Sequence, residues 1–300
     1  MFTIFTPTYN RANTLLNLYK SLLEQTNQNF EWIVVDDGST DDTELLMNKW
    51  IKENKIKILY FRQENGGKHR AINKGLEKAN KKLFFIVDSD DYLPKNSLQA
   101  IENVFWEIKD EPNFIGLCGL KGSSETETIG GTSFPSYIVD SDFINIYQEY
   151  GMRVDMAEVF KTEIFKKYKF PEIEGERFVA ESIIWNRMAI DYKVRYFNEI
   201  IYICEYLPEG LSYNSIKNRK NNPRYATLLY SELANNPKAN TKLKIKSMIN
   251  YWRFFFCRKE SIQIGIKELG GNIRHILTLP IGYLMYLKDS HYDMVKLPKI

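Results

Sequence analysis

Cysteine is scarce in this chain of 300 residues: Cys118, Cys204 and Cys257 stand far apart and are odd in number. That excludes a disulfide framework and a clustered zinc site, and it fits a reducing cytoplasm. Long apolar runs are missing too, so no segment reaches the roughly 18 residues that a membrane-crossing helix needs. Met1 leads straight into the strand-like Phe2-Thr3-Ile4-Phe5-Thr6, without the basic and apolar regions of a secretory signal. There is no low-complexity tract, no clear repeat, and no G-x-G-x-x-G after the first strand, which counts against a dehydrogenase. Net charge is small at +3 but unevenly spread. Residues 1–214 hold 25 Lys/Arg against 33 Asp/Glu, and residues 215–300 hold 16 against 5, so a net of −8 gives way to +11. Such a basic tail points to an anionic surface partner, membrane lipid or nucleic acid, and no recognisable nucleic-acid module accompanies it.

What is present is a regular alternation. Phe2–Thr6, Glu31–Asp36, Ile56–Phe61 and Leu83–Val87 read as strands, and Phe114–Cys118 as another. Helical spacing covers Thr14–Glu24, a stretch from Asp41 with Glu44 at capping-box distance, Lys68–Ala79 and Lys95–Ile108. The order predicts an α/β fold with a doubly wound, mostly parallel sheet, flanking helices and right-handed crossovers. Residues 1–214 form the expected α/β domain, and 215–300 a basic, aromatic-rich helical extension.

The fourth strand ends in Asp88-Ser89-Asp90-Asp91. Clustered carboxylates repel unless a cation compensates, and oxygen ligands favour Mg²⁺ or Mn²⁺. The same residues also suit a solvated acidic turn before the helix that starts near Pro94. The other strands end in Pro7-Thr8-Tyr9-Asn10-Arg11, Asp36-Asp37-Gly38-Ser39 and Asn65-Gly66-Gly67-Lys68, all on the edge where such sheets hold nucleotide diphosphates. Asp37 can accept from a uracil-type imide, Tyr9 can stack on a base, and the glycines allow phosphate to approach a helix start near Lys68. Each also has a plain use, in a turn, a loop or the core.

Together, Thr6 to Arg11, Val34 to Asp41, Asn65 to Gly75 and Val87 to Pro94 resemble glycosyltransferase family 2, enzymes of the GT-A fold that use nucleotide sugars. The resemblance implies that Pro7, Thr8 and Tyr9 line the nucleoside pocket and that Asp37 contacts the base. It places Lys68, Arg11, Asp88 and Ser89 on the donor and gives the divalent ion to Asp90, with Asp91 a neighbour. It implies direct displacement with inversion, which needs one general base. The corresponding segment is Phe178 to Arg187, where Glu181 is the expected base and Ser182 stands where relatives carry a second acid. Glu176 and Asp155 are the reserves, and Trp185 is a candidate acceptor platform. A strand expected over Tyr196–Tyr206 leads to Tyr206, Glu209 and Ser212, where some relatives carry a His or Arg for metal or diphosphate; His69 and Arg70 are alternative cations.

The resemblance makes residues 1–214 the nucleotide-sugar-binding and catalytic domain, and the implied partners are a nucleotide-sugar donor, a uridine diphosphate sugar, and a saccharide or lipid-linked acceptor in surface polysaccharide or glycolipid synthesis. A non-catalytic sugar-nucleotide-binding or membrane-docking subunit is the alternative. Basic residues alternate with aromatics over 241–256, and 273–287 is apolar; both suit helices lying peripherally on an anionic membrane, or a small bundle packed on itself.

Overall fold

The structure, a computed structural model, describes residues 1–152, 155–204, 214–269 and 273–295. The chain divides into two compact units, Met1–Phe170 with Arg187–Leu207, and Pro171–Asn186 with Pro208–Ile300. The elements run β1 (Phe2–Thr8), α1 (Leu15–Leu23), β2 (Phe30–Asp36), α2 (Thr43–Glu53), β3 (Ile58–Arg62), α3 (Lys68–Lys78), β4 (Leu83–Ile86), α4 (Ser97–Phe105) and β5 (Phe114–Gly122). They continue with β6 (Ile138–Ser141), α5 (Asn145–Gln148), β7 (Met156–Lys161), α6 (Thr162–Phe165), α7 (Ser182–Asp191) and β8 (Lys193–Ile203).

The eight strands form one sheet in the order β3-β2-β1-β4-β7-β5-β8-β6. The first four are parallel, so the loops that follow them emerge along one edge. Every residue of β1 and β2 is buried, as continuous apolar runs in a covered parallel sheet require. On one face Leu15, Leu18 and Leu22 of α1 join Trp32, Val34, Phe85 and Ile101 in a single core. Tyr19 stacks on Trp50 of α2 at 4.1 Å between ring centres. On the other face α3 lies against β1, close enough that a Cβ on Gly75 would meet the Phe5 ring at 2.1 Å. That approach explains the glycine near the end of the Asn65 to Gly75 string.

The sheet is not parallel throughout. β7 enters antiparallel between β4 and β5, and β6 closes the far edge antiparallel to β8. The expected capping box does not form: Asp41 accepts from the backbone N–H and hydroxyl of Thr43 at 3.1 and 2.6 Å, and Glu44 pairs with Arg62. The last strand is shifted towards the N-terminus, and Tyr206, Glu209 and Ser212 lie outside the described residues.

The second unit carries α8 (Ser215–Asn221), α9 (Pro223–Asn235), α10 (Thr241–Phe255), α11 (Ile262–Glu268), α12 (Ile273–Leu277) and α13 (Leu279–Val295). Its core is Tyr251, Trp252, Phe255 and Leu269, flanked by Tyr230, Phe256, Ile266 and Leu279. Charge alone drew a boundary at 214/215, whereas this unit also takes in Pro171–Asn186. The tie is polar and reciprocal. Glu176 accepts from the backbone N–H groups of Arg224 and Tyr225, and the Asn222 side chain accepts from those of Arg177 and Phe178. Among the described residues no helix is long and apolar enough to cross a membrane.

Candidate functional site

The loops after β1 to β4 are wired to one another. Asn10, in the left-handed region at φ 52°, donates its N–H to Ser39 Oγ at 2.9 Å and accepts from Thr40 N–H at 2.8 Å. The Asp37 N–H reaches the Thr8 carbonyl at 2.8 Å. Asp36 sits below as scaffold, accepting from Ser39 N–H at 2.7 Å and from the Tyr60 hydroxyl at 2.6 Å. Asp37 accepts from Gln63 Nε2 and from the N–H groups of Gly66 and Gly67 at 2.8, 2.9 and 2.7 Å. The base acceptor and the phosphate-cradling glycines of the sequence reading therefore use their atoms on each other. A carboxylate has about four lone-pair positions, so Asp37 retains one. Gly67, at φ 101°, makes the turn that starts α3 and delivers Lys68 to the edge.

The three carboxylates of the acidic cluster have three different partners. Asp88 receives the Lys68 ammonium at 2.7 and 2.9 Å on its two oxygens. Burial alone would raise the Asp88 carboxyl, but Lys68, Lys121 and Arg11 outweigh it and hold it below the usual range. Asp90 lies 3.5 Å from the Arg11 guanidinium. Asp91 is buried and accepts from the Tyr202 hydroxyl at 2.6 Å; burial, then the charge of Asp88, pushes it up to about 7. Tyr202 also accepts from the Asp88 N–H at 2.9 Å, and paired backbone bonds between Tyr92 and Ile203 fasten this turn to the end of β8.

Tyr9 is 48% exposed at the end of β1, whereas Pro7, Thr8 and Ser89 are buried. The Thr8 hydroxyl is buried without a hydrogen-bond partner among the described residues. Of the two alternative cations, His69 is fully buried, and Arg70 donates to the Gly66 carbonyl. Asp155 is exposed just before β7. Glu181, Glu176 and Trp185 belong to the second unit. Glu181 is half-buried and its carbonyl accepts from Ile184 and Trp185 N–H, so it opens α7 as expected. Among the described residues no three His, Cys, Asp or Glu side chains converge on a single metal position.

One residue escaped the sequence reading. Lys121 sits 4.3 Å above the Tyr202 ring, and although burial would lower its ammonium, Asp88 and Glu158 prevail and raise it. The cluster of acids thus has a cation beneath it as well as Lys68 and Arg11 beside it.

The Glycosyl transferase family 2 profile matches residues 3–168, over half of the chain. The chain belongs to this family. An uncharacterized glycosyltransferase of Rickettsia bellii is 40% identical over 113 residues, 38% of this chain and only 16% of that protein. Glycosyltransferase GlyG of Streptococcus pneumoniae is 26% identical over 221 residues, 68% of this chain and 70% of that one. Among solved structures, Staphylococcus aureus TarS 1-349 in complex with UDP-GlcNAc superposes with a TM-score of 0.60 at 19% identity, covering 94% of this chain and 79% of that one. The mannosyltransferase PcManGT of Pyrobaculum calidifontis, in complex with GDP-Man and Mn²⁺, gives 0.59 at 15% identity, covering 97% and 87%. These likenesses give the family 2 chain its GT-A fold.

Proposed function

We propose that this family 2 chain is an inverting glycosyltransferase that moves a sugar from a uridine diphosphate donor to a saccharide or lipid-linked saccharide. The product would enter surface polysaccharide or glycolipid synthesis at the cytoplasmic side of a membrane. The observation that carries the reading is the loop edge after β1 to β4. It combines the exposed Tyr9 ring, the Thr8 hydroxyl that has no partner among the described residues, the remaining acceptor position of Asp37 and three cations around Asp88. Base, ribose and diphosphate recognition need those groups in that sequence along one edge. The UDP-GlcNAc complex of TarS supports the donor class.

The donor set suits a divalent ion only as a site shared with phosphate. Asp88 is committed to Lys68 and Asp91 to Tyr202, which leaves Asp90 as the oxygen ligand, and Mg²⁺ or Mn²⁺ commonly takes one or two carboxylates plus substrate phosphates. The Mn²⁺ in PcManGT supports this assignment. Bound there, the ion would neutralise charge on the leaving diphosphate. Lys68, Arg11 and Lys121 add positive charge for the same leaving group, and Glu181 takes the proton of the acceptor hydroxyl.

Calorimetry with UDP, with and without Mn²⁺, tests the reading on wild type and Asp90→Ala. Metal should tighten binding to wild type and have no effect on the variant, and slow metal-dependent release of sugar from the donor should accompany it. Equal responses to metal in both proteins would move the ion elsewhere. Binding without turnover under every acceptor would favour a donor-binding subunit.

A further inference from the structure

The two segments that composition marks as membrane-seeking are used in opposite ways. In α10 the aromatic run is core, with Tyr251, Trp252, Phe254 and Phe255 at most 1% exposed. In α12 and α13 several large apolar side chains face out: Leu277 is 72% exposed, Leu284 64%, Ile281 50% and Leu287 43%. The cause is the way α13 is held. Gly282 presses against α10, where a Cβ would meet Trp252 Cβ at 2.5 Å, and Asp289, seven residues on, pairs with Arg253 at 2.6 Å. Those residues define the inner face, so Ile281, Leu284 and Lys288, at helical spacing, share the outer one.

Large aliphatic side chains concentrated on one exposed helix face cost free energy in water unless something covers them. We infer that the outer face of α12 and α13 seats on an anionic lipid surface. Charge selects this occupant. Residues 215–300 carry a net +11, Asp289 of α13 is held by Arg253 on the inner face, and Lys288 stands exposed on the outer one. A second copy of the chain would bring this basic surface against itself, whereas acidic headgroups complement it. At about 1.5 Å per residue the 17 residues of α13 span about 25 Å, suited to lying in the interface with leucines among the acyl chains.

Vesicle binding needs neither donor nor acceptor, so it is read independently of the catalytic proposal. The full chain should float with phosphatidylglycerol/phosphatidylcholine vesicles, less so in high salt, and weakly with phosphatidylcholine alone. Leu284→Glu and Leu277→Glu, both at solvent-facing positions that should leave the melting temperature unchanged, should each cut the bound fraction about tenfold or more. Leu45→Glu, at a 71% exposed position of the first unit, should bind as wild type. The proposal is overturned if wild type stays unbound on phosphatidylglycerol vesicles at low salt, or if Leu284→Glu and Leu277→Glu bind like wild type. It is equally overturned if the chain is a dimer that either variant converts to monomer, since the face then belongs to a second copy.

Discussion

Glu176 and Glu181 lie five residues apart, and a pair of isosteric substitutions assigns them different work. α9 starts with Pro223, which has no N–H, so its first orphan donors are the N–H groups of Arg224 and Tyr225. Glu176, 6% exposed, meets them with one oxygen each, at 2.7 and 2.8 Å. Glutamine keeps the shape but offers a single acceptor oxygen, and its amide N–H₂ then faces a backbone donor. The variant loses one charge-assisted hydrogen bond, worth about 1.5–3 kcal/mol, and a favourable charge at a helix start, worth about 0.3–1 kcal/mol. Glu176→Gln should therefore cost about 3 kcal/mol, which at roughly 2 °C per kcal/mol for a large chain lowers the melting temperature by about 6 °C. Glu181→Gln should melt like wild type but lose turnover by roughly 10² or more, the usual scale for a general base, with donor affinity kept. Scanning fluorimetry and donor hydrolysis on both variants read the two effects separately. A Glu176→Gln protein that melts with wild type yet loses turnover a hundredfold would refute the capping argument and make Glu176 the base.

Gly75→Ala drives a methyl into the buried Phe5 ring at 2.1 Å, and overpacking of this kind typically costs about 1–3 kcal/mol; a melting temperature equal to wild type would show that α3 can lift off β1 freely. Burial raises the Cys204 thiol to about 11, so its thiolate appears only as pH climbs well above 8. Weighing a thiolate fraction about 200-fold smaller than that of a free cysteine against its greater nucleophilicity, alkylation at pH 8 should be roughly 20-fold slower in the folded protein than in the denatured chain. Peptide mass spectrometry of iodoacetamide labelling over pH 7 to 10 measures this, and equal rates in folded and denatured protein would contradict the burial.

The alternation over the first hundred residues was legible because its strands are continuous apolar runs and its helices carry clear 3.6-residue stripes. Tertiary pairing decided what was not legible. β7, Met-Ala-Glu-Val-Phe-Lys, is short and weakly patterned, and only its neighbours β4 and β5 make it a central antiparallel strand. Lys121 looks in sequence like the polar exit of an apolar strand, and the register that sets it opposite Tyr202 is what brings it to the carboxylates. Likewise Asp37 and the Gly66 and Gly67 amides each suit a ligand when taken alone. Nothing in a separation of about 30 residues reveals that they satisfy one another. The aromatics of α10 cluster in its last turns, and composition alone does not tell that Tyr251, Trp252 and Phe255 pack with Leu269 in a core rather than facing a surface.

Three neighbouring acids show why a motif alone undercounts a site. Asp88, Asp90 and Asp91 are equivalent in sequence, but the fold gives the first an ammonium, the second a guanidinium at 3.5 Å and the third a phenol. Each partner changes what its carboxylate can do. Asp88, held below the usual range, stays ionised and fixes Lys68 at the edge. Asp91, pushed up to about 7 by burial and by the charge of Asp88, spares the turn a third full negative charge near neutrality. That leaves Asp90 exposed enough to ligate, beside an arginine that can turn towards phosphate. On the proposed reading, such an arrangement would take a divalent cation and a phosphate together.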